Sequence, residues 1–395
     1  MLVSVHKHIS FLFFVLLAIP NAHAQLWSLQ QCVDTTLVHN RSLQMASNSI
    51  LIGAEKQKEA TANLIPKLSV NADYKYFTDL PTQLMPLSTF NASAPVGKFK
   101  EAQFGVPHNL NANVQLSMPL YNPQIFGTIK TTNEALVLSN LQYKKSEDQV
   151  LVDVYNQYYS AQILTHQLRF IDSNMVNSNR LLKNMQLLKI QMLAKGTDVS
   201  KIELQLSQLS AQKATINSKL QQVLNALKFS MGVSLDQRIT IDDNIKYEPR
   251  QEESLNNPIE IELAKTQHKL TKVELNNLKY SRLPTLSLMA YYGTTGFGYD
   301  KKPSDFLKFF PMSFVGVQFN YPLFNGTVTL RKINQKKLEL KNTELQEANA
   351  IALNTMQVQN ATLQRDVATQ TLNVSEKQIL LAQNIYTQAL LQQQQ

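Results

Sequence analysis

Pro66-Lys67-Leu68-Ser69-Val70-Asn71-Ala72-Asp73-Tyr74-Lys75-Tyr76 changes the period of the chain. Before Pro66, from about Leu29 to Asn63, the pattern is helical. After it, Leu68, Val70, Ala72, Tyr74 and Tyr76 alternate with Ser69, Asn71, Asp73 and Lys75, the two-residue period of a strand with one apolar and one polar face. The passage is stated twice. Leu64-Ile65-Pro66-Lys67-Leu68-Ser69-Val70 returns as Arg282-Leu283-Pro284-Thr285-Leu286-Ser287-Leu288, and Val114-Gln115-Leu116-Ser117-Met118-Pro119-Leu120-Tyr121-Asn122 returns as Val317-Gln318-Phe319-Asn320-Tyr321-Pro322-Leu323-Phe324-Asn325. Pro66 and Pro284 are 218 positions apart, Pro119 and Pro322 are 203 apart, so order and chemistry are kept while one loop differs by 15.

Four such segments are expected, at 66–77, 109–120, 284–293 and 313–322, with Pro66, Pro119, Pro284 and Pro322 at their boundaries. Each runs about 9–11 residues, the length of a tilted strand that crosses a bilayer. The polar positions are rich in amides and hydroxyls, as a water-filled lumen requires: Asn71, Asp73, Lys75, Asn111, Asn113, Gln115, Gln318 and Asn320 are the expected lumen-facing set. Tyr74, Tyr76, Phe77, Tyr121, Phe319, Tyr321 and Phe324 gather at segment ends, like an interfacial girdle. Two ordinary soluble hairpins with one buried face are the competing reading. Four strands cannot close a barrel around an open lumen, and an open edge in lipid leaves backbone groups unsatisfied, so other copies of the chain must complete the sheet. Three copies would give 12 strands, wide enough for a solute path.

The breakers mark the helices. There is no proline from Gln124 to Glu248 and no glycine from Thr128 to Lys195. An apolar stripe through Leu136, Leu141, Val150, Val154, Tyr158, Leu168, Ile171, Leu181 and Leu188 predicts one helix of about 70 residues, on the order of 100 Å long. No globular core has that length, so a coiled-coil-like assembly is expected to bury the stripe. Lys195-Gly196-Thr197-Asp198-Val199-Ser200 ends it, with Gly196 expected in the left-handed C′ position and Asp198 or Ser200 capping a return helix to Met231.

Residues 1–24 read as a secretory signal: Lys7, an apolar run from Ile9 to Ile19, and Ala22-His23-Ala24 as cleavage site. Export combined with strands, and with no later run apolar enough for a spanning helix, points to an outer membrane. Cys32 is the only cysteine, so no internal disulfide can form; it reads as a small residue on the first helix rather than a lipid attachment site. The net charge of +9 is spread over polar helix faces together with acidic residues, which argues for a solvated or headgroup-facing surface and against nucleic acid. His39, His108, His166 and His268 are far apart and read as surface or loop residues, giving no metal site. Gly293-Thr294-Thr295-Gly296-Phe297-Gly298 opens no helix and reads as an outer hairpin loop rather than a phosphate cradle. The methionines fall in apolar stripes. No nucleophile–base or carboxylate pair suggests an enzyme, and no cofactor is expected.

In the order and spacing of these motifs the chain resembles the TolC family of outer-membrane exit ducts. The resemblance implies an α+β membrane protein: long α-helical coiled-coil hairpins plus four membrane-spanning strands per protomer, assembled as a homotrimer with a 12-stranded β-barrel and a periplasmic α-barrel tunnel. It lays the chain out as a signal peptide (1–24), a first repeat (25–255, with hairpin tip at 196 and connector 233–255) and a second repeat (256–395). It also implies a periplasmic adaptor protein and, through it, an inner-membrane RND, ABC or MFS transporter, in a tripartite efflux pump or a type I secretion system. Adaptor contact is expected at the tip, on Lys195, Gly196, Thr197, Asp198, Val199, Ser200 and Lys201, with Glu203 a candidate for lining the tunnel constriction. The spacing from Pro119 to Gly196 would place a second tip near position 399, past Gln395, so the second repeat is expected to lack its last helix and the acidic gate residues that family members carry there. A partial, non-functional duct and a structural coiled-coil protein of the envelope are the alternatives.

Overall fold

The computed structural model describes residues 26–89, 93, 95–245, 258–299 and 308–394. The expected signal peptide and the second half of the expected connector lie outside these residues. The chain folds as two compact units that cut across the sequence repeats: residues 1–50 with 140–256, and 51–139 with 257–395.

The first unit begins with β1 (Leu26–Trp27), which pairs in parallel with β6 (Thr240–Ile241) inside the expected connector. Ser28 caps α1 (Leu29–His39) through a reciprocal capping box with Gln31. The single opening helix expected from the sequence is in fact two, α1 and α2 (Arg41–Ala62), broken at Asn40. The physical reason is Asn40 itself. Its φ/ψ of −64°/122° leave the helix, its Oδ1 accepts from Leu43 N–H at 3.0 Å, and its Nδ2 donates to the Ser230 carbonyl at 2.7 Å. One amide thus satisfies an orphan donor of the new helix and an acceptor near the end of a distant one.

The long helix α3 runs from Pro123 to Ile190, 68 residues, with proline at its first position where no amide hydrogen is needed. The return helix α4 spans Gly196–Met231 and ends at Gly232, φ 70°. A Cβ on Gly232 would run into the carbonyl of His39, so both the backbone conformation and the packing demand glycine there. The core of this unit gathers Trp27, Cys32 and Val33 with Val154, Tyr158 and Ala161 of α3, Leu227 and Met231 of α4, and Ile239 and Ile241. Each large apolar side chain buried there contributes roughly 1.5–3 kcal/mol. Cys32 is fully buried on α1, in keeping with the sequence reading, and burial pushes its thiol up to about 12.

The second unit holds a four-stranded antiparallel sheet in the order β2-β5-β7-β8: β2 Lys67–Tyr76, β5 His108–Tyr121, β7 Thr285–Gly298 and β8 Lys308–Asn320. Between β2 and β5 rises a hairpin of β3 (Thr82–Pro86) and β4 (Phe99–Gln103) that the sequence does not announce. Beside the parts of α2 and α3 that fall within 51–139, the unit also holds α5 (Ile259–Tyr280) and the 67-residue α6 (Val328–Gln394). They are joined by the Lys336–Glu274 ion pair at 3.0 Å and by His268 Nδ1 against Thr343 Oγ1 at 3.2 Å. Farther along α6, large apolar side chains stand exposed, among them Leu345, Leu363, Val367, Ile385 and Leu391.

Two expectations about the strands are corrected. The glycine string 293–298 is not a loop but the outer half of β7, paired with β5 on one side and β8 on the other. Its glycines clear space: a Cβ on Gly293 would lie 2.7 Å from Asn113 Cβ, and one on Gly296 would lie 2.9 Å from the Phe309 ring. Pro119 is not a strand boundary either. It lies inside β5, where the register with β7 shifts between Pro119 and Tyr121, the irregular setting in which a strand tolerates proline. Pro66 and Pro284 do stand immediately before β2 and β7, and Pro322 two residues after β8.

Candidate channel wall and hairpin tip

The sheet register sorts side chains by face, because directly opposed residues point the same way. One set of rows is mainly apolar: Leu68, Leu116, Ala290 and Val315; Val70, Val114, Tyr292 and Ser313; Ala72, Ala112, Thr294 and Pro311. The other begins with amides and charges. Asn71 opposes Asn113, Asp73 opposes Asn111, and Lys75 opposes Asn109. All eight residues expected on the polar face from the sequence share it, since Asn111, Asn113 and Gln115 are joined through β7 to Gln318 and Asn320. Their side chains form a ladder. Asn71 Nδ2 donates to Asn113 Oδ1 at 3.3 Å, Asn111 Nδ2 to Asp73 Oδ2 at 3.2 Å, Thr295 Oγ1 to Asn111 Oδ1 at 2.8 Å, and Lys75 pairs with Asp73 at 3.3 Å. At the far end of the apolar face His108 is buried, its Nδ1 2.6 Å from the Tyr74 hydroxyl and its ring against Tyr74 and Tyr76. The reading of every histidine as a surface or loop residue therefore fails at His108, where two flanking tyrosines supply both cover and a partner.

The polar face is not polar throughout. On β7 and β8, Tyr291 stacks on Phe314 (5.2 Å between centroids, 7° between planes), Phe297 lies against Phe310 (5.9 Å), and Met312 opposes Gly293. The signal for this in the sequence is the adjacent pair Phe314-Val315, where the apolar parity of β8 inverts.

At the hairpin tip the left-handed residue is Met192, φ 58°, and not Gly196, which is the first residue of α4. Leu193 N–H reaches the Leu188 carbonyl at 2.8 Å and Met192 N–H the Lys189 carbonyl at 3.0 Å, the two bonds of a Schellman motif with Met192 at C′. Helix α3 thus ends at Ile190, ahead of the Lys195–Ser200 stretch expected to end it. Lys195 is the N-cap of α4, without a side-chain capping bond. Thr197, Ser200 and Lys201 are exposed, Asp198 is half-buried and pairs with Lys201 at 3.6 Å, and Val199 turns inward. Glu203 is exposed on α4. Four apolar side chains of the tip, Leu187, Ile190, Met192 and Leu193, are exposed, Met192 at 94%, among the exposed Lys189, Gln191 and Lys195.

Elsewhere in the first unit one side of α3 holds residues 240–243 in place. Tyr158 hydroxyl lies 3.1 Å from the carbonyls of Trp27 and Asp242, Gln162 Nε2 donates to Asp242 O at 2.6 Å, His166 Nε2 is 2.8 Å from Asp243 O, and Arg169 pairs with the Asp243 carboxylate. Burial, with Cys32 and Asp242 adding to it, pushes Tyr158 up to about 12. Among the described residues no group of three or more His, Cys, Asp or Glu could hold a metal ion, and no helix is long and apolar enough to cross a membrane.

A four-stranded antiparallel sheet of two faces, in which β5 leads into a helix of 68 residues and β8 into one of 67 in two sequence repeats, is the fold of TolC-family outer-membrane channels. Among solved structures, CusC superposes with a TM-score of 0.63 at 14% identity, covering 85% of this chain and 76% of that one. The outer membrane protein VceC of Vibrio cholerae gives 0.59 at 15% identity over 82% and 75% of the two chains. The CmeC outer membrane channel of Campylobacter jejuni gives 0.61 at 14% identity over 82% and 68%. At these identities the likeness is one of fold. No protein-family model and no curated protein sequence matches the chain.

Proposed function

We propose that the chain is one protomer of an outer-membrane exit duct, a non-enzymatic channel through which solutes leave the periplasm. One observation carries this reading. The sheet has an apolar face, a face with an amide ladder, and two edge strands, β2 and β8, each paired on one side only among the described residues. In a bilayer the unpaired edges cannot persist, since each unsatisfied backbone group there costs several kcal/mol. Closure with further copies places the apolar rows against lipid and the ladder toward water. Three copies would supply 12 strands, and the exposed apolar residues of α6 would be covered by helices of the neighbouring copies.

The fold likeness to outer-membrane channels supports the same compartment, with the long helices in the periplasm. In this reading the tip meets a periplasmic adaptor, and through it an inner-membrane pump or a type I secretion transporter. The contact is centred on the apolar Leu187, Ile190, Met192 and Leu193, and not on the polar residues after Gly196 alone. The decisive test is reconstitution. Purified full-length protein should cross-link as a trimer and give discrete conductance steps in planar bilayers. A protein that stays monomeric and gives no conductance would overturn the proposal.

A further inference from the structure

Part of the polar face, on β7 and β8, is aromatic, and nothing in closing a barrel requires that. Phe310, Met312 and Phe314 lie on alternate positions of β8, roughly 7 Å apart along the strand. They are exposed at 54%, 53% and 48%, on the same face as Asn111, Asn113 and Gln115 two strands away, about 10 Å across the sheet. Tyr291 and Phe297 of β7 stand between them and the ladder, each already engaged with a β8 ring. Gly293, opposite Met312, carries no side chain of its own, and the Tyr291 hydroxyl and Asn113 close over it, which brings the ring pair and the amides side by side. The surface therefore offers stacking on one flank and amide hydrogen bonding on the other, at a separation spanned by a small aromatic molecule with polar substituents. Ring stacking alone would not distinguish such a solute from a hydrocarbon; the adjacent amides do.

We infer that Tyr291, Phe297, Phe310, Met312 and Phe314 form an aromatic track on the duct wall that briefly retains uncharged aromatic amphiphiles as they pass. The inference rests on the duct reading above and adds a solute class to it. Retention is weak, as passage requires: a ring contact of this kind changes a residence time by about threefold to tenfold.

The test uses the reconstituted full-length channel in planar bilayers, with chloramphenicol as an aromatic amphiphile and sucrose as a ringless solute of similar size. Chloramphenicol should add transient blockades to the open-channel current and sucrose should not. Phe314→Leu, which stays apolar but loses the ring, and Phe310→Leu should each shorten the blockades about threefold to tenfold, read against each variant's own open-channel current. Equal blockades from both solutes, or blockades unaltered in both variants, would overturn the track. The absence of any conductance would instead overturn the duct reading on which it rests.

Discussion

Met192 occupies a left-handed conformation that costs a non-glycine residue roughly 1 kcal/mol, at a fully exposed position where nothing in the fold repays it. Met192→Gly should therefore stabilise the hairpin tip by about 0.5–1 kcal/mol, seen as slower hydrogen exchange over residues 186–195. If the side chain is the contact proposed above, the same substitution should weaken adaptor binding, so stability and binding should move in opposite directions. Cys32 poses the reverse case, a residue whose chemistry is suppressed by its surroundings. Its thiol is pushed from 9.0 to about 12 and Tyr158, in the same core, from 10.0 to about 12, in both cases chiefly by burial. Both groups keep their protons in the folded state at a pH where the unfolded chain has lost them. Stability is thus undiminished below about pH 9 and falls as pH rises toward about 12. Urea midpoints measured from pH 8 to 11 should drop accordingly, with a shallower slope in Cys32→Ala. At pH 8 the native thiol should not react with aromatic disulfide reagents until denaturant is added.

Elements are legible in the sequence where one strong signal governs them. The 68-residue α3 follows from the absence of breakers, and the four strands of the sheet from a period of two. They are hidden where a residue acts through a distant partner. Asn40 sits in an unbroken helical pattern, and only its bond to Ser230, 190 residues away, makes it a junction. The glycines of β7 look like loop residues until Asn113 and Phe309 are seen to need their space. Met192 is masked by Gly196, four positions on, the residue type that usually takes the left-handed position. The Asn40 junction is testable by separating its two bonds. Asn40→Ala should cost about 2–3 kcal/mol, combining a lost cap with an unsatisfied carbonyl at Ser230. Asn40→Asp keeps an oxygen for Leu43 N–H but presents no donor to Ser230, and should fall between wild type and alanine. Equal stability of all three in denaturant titrations would mean that the break is imposed elsewhere.

At the scale of the whole molecule, the sequence shows that the sheet has two faces, but the sorting of residues onto them depends on register. A slip of one residue would exchange the faces of an entire strand. The Gln115–Ser69 and Leu116–Leu68 pairs settle which side chains travel together, and the aromatic part of the polar face emerges only once Phe310, Met312 and Phe314 are placed opposite Thr295, Gly293 and Tyr291. Which face meets lipid is read out by charge, because the cost of an arginine depends on where it must sit. Leu116→Arg would place a guanidinium on the apolar rows, at up to about 2–4 kcal/mol per protomer if that face meets the bilayer core. Asn113→Arg, three positions away on the opposite face and beside Asn71, would meet water and cost little. In a duct assembled as proposed, Leu116→Arg should reduce the trimer recovered from outer membranes, whereas Asn113→Arg should assemble normally. The latter should also shift the reversal potential under a salt gradient toward anions, since a ring of new positive charges would line the lumen. The opposite pattern, with Asn113→Arg lost from the membrane and Leu116→Arg retained, would turn the sheet inside out. It would also place the ring track of Phe310 and Phe314 against lipid.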